Sequence, residues 1–308
     1  MSSHVSAGMQ LFMQRRSVFT TEEGVSRGLS FKPRSDDVFV VTPPKCGTTW
    51  MQQILHQLRS GGDMSFDDIS DVVPYIEFAY DTEVDLEAEH KYQPRCYKTH
   101  AWYPWCPKGA SKYIVIYREP CASFYSYFNF LKGWIFQPGE VLLHEFVKDY
   151  LLALGLPKKK MERASYFVHL LSWWEHRNDL NVLFLFFEDM KDDLESAVRK
   201  VAAFIGIQDD ERIREAVKMS SFEYMKENER KFSEVRLARC RNKSCGIPDD
   251  VVASKVVTGS ATKGRELMDD KTKEIIQAKW LEVVEKQTGF QDYNELRRAF
   301  KMEQMNRN

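Results

Sequence analysis

The chain has 308 residues, 43% of them hydrophobic and 13% aromatic, enough to bury the core of one large domain or two small ones, which excludes fibrous and disordered classes. Its 44 Lys and Arg against 45 Asp and Glu leave a net charge of −1, so no global field draws it to nucleic acid or an anionic membrane, and any anion site must be local. The longest apolar runs, such as 182–187, fall far short of the roughly 20 residues that a membrane helix needs, so a soluble protein is expected.

In chain order, residues 1–21 contain Arg15 and Arg16 but no acidic group, a faint likeness to a transit peptide. The plainer reading is a loose N-terminal arm over 1–30. The apolar run Val38–Val41 then reads as a strand that feeds "VTPPKCGTTW", and Trp50, Met51, Ile54, Leu55 and Leu58 recur at helical spacing until Gly61-Gly62. Further strand-like runs at 95–99, 113–117 and 182–187 alternate with helical stretches, the rhythm of βα units around a parallel sheet. Helices are predicted over 120–131, 141–153, 162–177, 193–205, 209–219, 270–287 and 292–303. Between them, 226–265 carries Arg230, Lys231, Arg236, Arg239, Arg241 and Lys243 among few large apolar residues, and reads as a mobile basic lid. The expected fold class is α/β: one domain over 31–308 with a central parallel sheet flanked by helices. Six cysteines at irregular spacings favour reduced thiols and the cytoplasm over a disulfide framework, and Cys240 and Cys245 have no partners for a zinc site.

A strand, a tight loop and a helix set backbone N–H groups and the positive end of a helix dipole against an anion. In "PPKCGTTW", Gly47 permits close backbone approach, Thr48 and Thr49 offer hydroxyls at the helix start, and Lys45 supplies a point charge. In the nucleoside-triphosphate pattern G-x-x-x-x-G-K-[ST] the lysine follows the last glycine. Here Lys45 precedes Gly47, which moves the charge from a triphosphate tail toward the bond to be broken.

"TPPKCGTTW" resembles the 5′-phosphosulfate loop of the cytosolic sulfotransferase family. The resemblance extends in chain order through "VPYIEF" at 73–78, "YKTH" at 97–100, "YIVIYREPCASFYSYFNF" at 113–130, "SWWE" at 172–175, "VLFLFFEDMK" at 182–191 and "SSFEYMKEN" at 220–228. It implies a P-loop-like phosphate site and transfer of a sulfuryl group from 3′-phosphoadenosine 5′-phosphosulfate, without a metal, to a hydroxyl or amine of a small hydrophobic acceptor. No nucleic-acid or membrane partner is expected, and monomer and homodimer are both open.

Such a transfer needs an in-line acceptor, a base for its proton and positive groups on the departing oxygen. His100 is the candidate base, since imidazole titrates near neutrality. Lys45 and Lys98 are placed at the leaving oxygen. The resemblance puts Arg118 and Ser126 on the 3′-phosphate, with Cys46, Gly47, Thr48 and Thr49 around the 5′ end. Trp50 and Phe222 match adenine-stacking positions, Phe187 stands where relatives often carry tyrosine, and Ser220 and Gly259 fall within the cofactor-binding set. Tyr75 and Phe78 match an acceptor pocket, which Trp102, Tyr103, Trp105, Trp134 and Phe136 could complete on equal terms with plain core, Trp134 being the one of these five placed in the acceptor set.

Two rival readings stand beside this one. "FLFFED" offers Glu188 or Asp189 as the metal-organising acid of a magnesium-dependent nucleotide kinase. An inactive nucleotide-binding relative draws support from Val257-Thr258-Gly259, where the family carries Arg-Lys-Gly; Lys263 or Arg265 could turn inward to replace the missing charge.

Overall fold

Four short apolar runs make the centre of the molecule: β1 (Val38–Val41), β2 (Cys96–Thr99), β3 (Lys112–Tyr117) and β4 (Val182–Phe186). In the computed structural model, which describes residues 5–109 and 111–307, they pair in parallel in the order β2-β1-β3-β4. Alternate side chains separate onto two faces. Phe39, Tyr97, Tyr113 and Tyr117 belong to one apolar cluster, while Val38, Val40, Ile114 and Ile116 belong to another, with Met51, Ile54, Leu55 and Leu58 of the helix α3 (Thr48–Ser60). Both faces are therefore covered, as a parallel sheet requires.

Val38 is in register with Cys96 on one side and Lys112 on the other, so the chain leaves β1 for one neighbour and crosses back to the second. A crevice opens at such a switch point, outside the carboxyl ends of the strands. The loop 42–47, His100, Arg118 and Phe187 all lie immediately beyond those ends. At the opposite edge Arg95 grips Asp37 through two hydrogen bonds of 2.8 Å, both side chains buried, which pins the starts of β1 and β2 together.

The predicted helix 120–131 is found as Pro120–Leu131, and 209–219 as Asp210–Met219. Within the predicted stretches 141–153 and 270–287, the turns widen at Phe146–Leu151 and Leu281–Glu285. The stretch 162–177 shortens to Tyr166–Trp174 because the Ser165 hydroxyl accepts from the Val168 N–H and caps the helix there.

The N-terminal arm differs from expectation. Rather than hanging loose, it forms two helices, α1 (Ala7–Phe19) and α2 (Glu22–Leu29), capped by Ser6 and Thr21. Phe12 is fully buried, with its ring 5.8 Å from Phe136 and 5.5 Å from Phe146. Gly28 lies so near the helical turn Ile76–Phe78 that a Cβ there would sit 2.0 Å from the Ile76 carbonyl oxygen, so only glycine permits this approach of α2.

The basic segment 226–265 contains the helix Val235–Arg241 and short turns, and several of its cations tie it to the body. Arg236 pairs with Asp71, Lys231 donates to the Phe66 carbonyl, and Arg241 donates to the carbonyls of Phe19 (2.8 Å) and Val18 (2.7 Å). Arg241→Ala should cost about 1–2 kcal/mol, the scale of one or two net hydrogen bonds, and should speed limited proteolysis near residue 20. Unchanged stability and cleavage would show that these bonds do not hold α1.

Candidate active site

The loop that follows β1 is shaped by its backbone. Lys45 has φ +67° and Gly47 φ +102°, a left-handed pair that turns the chain sharply before α3 begins at Thr48. No side chain caps the helix, so its first N–H groups are open to an anion. The hydroxyls of Thr42 and Thr48 meet at 2.6 Å and close the loop, while Ser123 donates to the Pro44 carbonyl at 3.0 Å and braces it from Pro120–Leu131. Cys46 faces inward rather than toward the crevice; its thiol lies 3.5 Å from the Ser123 hydroxyl, and burial pushes it up to about 12. Among side chains of this loop, Lys45 is therefore the one that meets a ligand with charge.

Above the loop lies one large cavity of about 660 Å³. Of the residues expected at the cofactor and at catalysis, Lys45, Gly47, Thr48, Thr49, Trp50, Lys98, His100, Arg118, Ser126, Phe187, Phe222 and Gly259 line it. Ser220 does not; its carbonyl accepts from the Trp50 indole at 2.7 Å, and its own buried hydroxyl has no partner. Trp50 and Phe187 meet edge to face at 5.4 Å, and Phe222 packs on Gly259 so closely that a Cβ there would lie 2.6 Å from the ring. These rings give one end of the cavity flat apolar walls.

The Arg118 guanidinium lies 4.5 Å above the Phe187 ring and donates to the Ser260 carbonyl at 2.8 Å, while its Nε is buried without a partner. It thus joins the end of β3 to the segment that carries Val257-Thr258-Gly259. Lys263 lines the same cavity. Arg265 does not and is paired with Glu119 at 3.2 Å, so of the two cations considered as replacements only Lys263 reaches the cavity wall.

His100 follows β2 and is held at two atoms, its backbone nitrogen and Nδ1. Its N–H donates to Glu77 Oε1 at 2.8 Å, and Nδ1 lies 2.7 Å from the Thr42 carbonyl oxygen. A carbonyl can only accept, so Nδ1 carries the hydrogen and Nε2 is left with a lone pair. Burial, with Lys98 and Arg163 nearby, holds the imidazole well below its ordinary value, which keeps it neutral with the Nε2 lone pair free, though a weaker base than an exposed imidazole. Burial, then Lys255, brings Lys45 down to about 7, and burial brings Lys98 to about 8 against the opposing pull of Glu234. Lys98 donates to Glu234 at 3.1 Å, and Lys255 pairs with the same oxygen at 2.6 Å.

At the other end, Tyr75 stands 5.1 Å from His100 and 4.8 Å from Phe78, and Trp134 turns its indole N–H to Asn242 at 2.8 Å. All three expected acceptor residues line the cavity. The further aromatic candidates do not. Phe136 is core beneath α1, Tyr103 stacks on His176 with ring centres 3.4 Å apart, and Trp102 and Trp105 meet each other at 5.6 Å away from the cavity wall. Sequence reasoning missed Phe19, which packs on Phe78 and Trp134, together with Arg16, Arg163 and Glu234.

The acids of "FLFFED" are engaged elsewhere. Glu188 accepts from the Glu119 N–H (2.9 Å) and the Tyr293 hydroxyl (2.6 Å), and Asp189 pairs with Arg297 and Lys301. Neither lines the cavity, and they fasten the C-terminal helix to the end of β4 instead. That removes the support for a metal-organising acid in the kinase reading.

A family model for the sulfotransferase domain matches residues 35–282. The chain belongs to the sulfotransferase family. This sulfotransferase is 34% identical over 204 residues to the amine sulfotransferase of Oryctolagus cuniculus, a match that covers 64% of this chain and 65% of that one, just under two thirds of its length. It is 30% identical over 218 residues to Sulfotransferase 1C2 of Homo sapiens, covering 68% and 72% of the two chains. Among solved structures, mouse sulfotransferase SULT7A1 complexed with PAP superposes with a TM-score of 0.63 at 23% identity, covering 94% of this chain and 95% of that one. Retinol dehydratase in complex with androsterone and inactive cofactor PAP gives 0.66 at 20% identity, covering 88% and 87%. At these identities the structural likeness is one of fold. No helix among the described residues is long and apolar enough to cross a membrane.

Proposed function

We propose that this sulfotransferase moves a sulfuryl group from 3′-phosphoadenosine 5′-phosphosulfate to a hydroxyl, or an amine, of a small hydrophobic acceptor, with His100 as base. The observation that carries the reading is the bond from His100 Nδ1 to the Thr42 carbonyl, which leaves Nε2 basic in the cavity that Lys45 and Lys98 also line. The uncapped start of α3, the orphaned Nε of Arg118 and the flat walls of Trp50 and Phe222 fit the phosphates and the adenine of such a donor. When bound, the donor supplies the sulfuryl group and leaves with more negative charge on its phosphate. Lys45 and Lys98 neutralise that charge, Arg118 and Ser126 hold the 3′-phosphate, and His100 Nε2 takes the acceptor proton.

The segment 226–265 serves as the lid, since Glu234 and Lys255 to Gly259 form part of the cavity wall. All six cysteines are free thiols, in keeping with a cytoplasmic enzyme. Adenosine 3′,5′-bisphosphate should raise the melting temperature without metal, and ATP with magnesium should not. The reverse result would favour the kinase.

Lys45 supplies a second test. Its depressed value means that it is largely neutral in the free protein at pH 8. A bound phosphate raises it again, so binding of the bisphosphate at pH 8 should take up a proton, up to about one per site. Calorimetry in buffers of different ionisation enthalpy reads this directly, and Lys45→Met should remove most of the uptake, leaving the share of Lys98, whose value of about 8 makes it part-neutral at the same pH. Lys45→Ala should also lower kcat more than it weakens bisphosphate affinity. A loss of affinity alone would make Lys45 an anchor only.

A further inference from the structure

The acceptor end of the cavity holds two arginines whose charge the protein does not neutralise. Arg16 reaches it from the last turn of α1, and Arg163 from the chain just before Tyr166–Trp174. Arg163 donates to the Tyr127 hydroxyl at 3.2 Å, and Arg16 Nε is buried without a partner. Neither guanidinium lies within 4.0 Å of a carboxylate among the described residues, whereas Arg95, Arg236 and Arg297 all do. The two acids on the cavity wall are committed or distant: Glu234 is bonded to Lys98 and Lys255, and Glu223 belongs with Phe222 at the opposite end. Glu77, a buried acid whose charge bears on Arg163 without pairing with it, spends one oxygen on Thr99 and the His100 N–H while the other is buried without a partner, and burial raises its proton affinity.

The field of this pair is visible in Tyr150. Burial pushes up its hydroxyl and that of its neighbour Tyr127, and Arg16 and Arg163 act against that rise at both. A guanidinium in a largely aromatic enclosure, with no anion beside it, is costly to keep, and the cost is recovered when a ligand brings the anion.

We propose that the acceptor is a hydrophobic hydroxy acid, its carboxylate seated on Arg16 and Arg163 while its hydroxyl reaches His100. The proposal rests on the sulfuryl-transfer reading and narrows its acceptor class. The planar forks of two arginines suit a carboxylate, and the same charges disfavour a protonated amine. Phe19, Phe78 and Trp134 hold the apolar body between the two ends.

The test uses matched probes in two series: 3-(4-hydroxyphenyl)propanoate, its methyl ester and tyramine, and a hydroxysteroid carboxylic acid with its methyl ester. Binding to the full chain is measured by calorimetry in the presence of adenosine 3′,5′-bisphosphate, and turnover with the phosphosulfate donor. The acid should bind more tightly than its ester by about tenfold or more, as for hydrogen bonds to a charged group, and tyramine should bind most weakly. Arg16→Met and Arg163→Met should each bring the acid-to-ester ratio toward one, while Arg16→Lys should retain part of it. If Arg163→Met fails to fold, Arg16→Met carries the comparison. An acid preference in binding without any turnover would leave this inference standing and count against the sulfuryl-transfer reading. Esters bound as well as acids in both series, or a preference that survives both methionine variants, would overturn the inference.

Discussion

His100→Ala is expected to lower kcat by about two to four orders of magnitude, the range for loss of a general base, with affinity for adenosine 3′,5′-bisphosphate largely kept. Two features of the site make the prediction specific. The Thr42 carbonyl fixes the tautomer, so the group lost is a lone pair at Nε2 and not merely a ring. The backbone at this position is bonded independently to Glu77, so truncating the side chain leaves the end of β2 in place. His100→Asn can still donate to Thr42 but has no base, and it should be as slow as the alanine variant. The pH profile gives a further check with a definite sign. Because burial and the neighbouring cations depress the imidazole, the base is already free at pH 6, and activity should not fall as pH is lowered through 6.5. Near-normal turnover in both variants would refute the assignment.

The parts of this site that are local in sequence were legible from it. The strand at 38–41, the loop that follows and the helix Pro120–Leu131 each announce themselves within about ten residues, through an apolar run, a Gly or Pro signal and a repeating face. His100 and Arg118 were legible for the same reason, since each sits at the end of a run that reads as a strand. What was not legible depends on distant partners. In α1 the apolar pattern is interrupted by Arg15 and Arg16, and its stability comes from Phe136 and Phe146, more than a hundred residues away. The cations of 226–265 read as a solvated stretch because their acceptors, such as Asp71 and the Phe19 carbonyl, lie far back in the chain. Trp102, Tyr103 and Trp105 match a pocket by composition, and only the packing shows which side of the sheet they serve.

Glu234→Ala is expected to cost about 3–5 kcal/mol, the scale for removing one partner of a buried ion pair. One carboxylate oxygen accepts from both Lys98 and Lys255, and the three side chains are only 4–7% exposed. The residue also holds a left-handed backbone, φ +48°, at the start of Val235–Arg241, so its position is imposed by the packed segment around it. Burial alone would raise the acid's value, but Lys255 and Lys98 reverse that and hold it below the ordinary carboxylate range. Its contribution is therefore full above the unfolded-state value and is lost as pH falls through the lower folded one. On the alkaline side the limit comes from Lys98, whose depressed value of about 8 means that one partner loses its charge above that pH. The stability difference between wild type and Glu234→Ala should thus be greatest between about pH 5 and 7, and should shrink at pH 9 and again in strong acid. Urea titrations at pH 4, 6 and 9 read this window. The same charges predict the response to ligand: adenosine 3′,5′-bisphosphate brings negative charge to the cavity that Lys98 and Lys255 line, so it should stabilise the alanine variant more than the wild type. A variant as stable as wild type at pH 6, with the same gain from the bisphosphate, would show that Glu234 neither clamps the segment 226–265 to β2 nor balances the lysines beneath it.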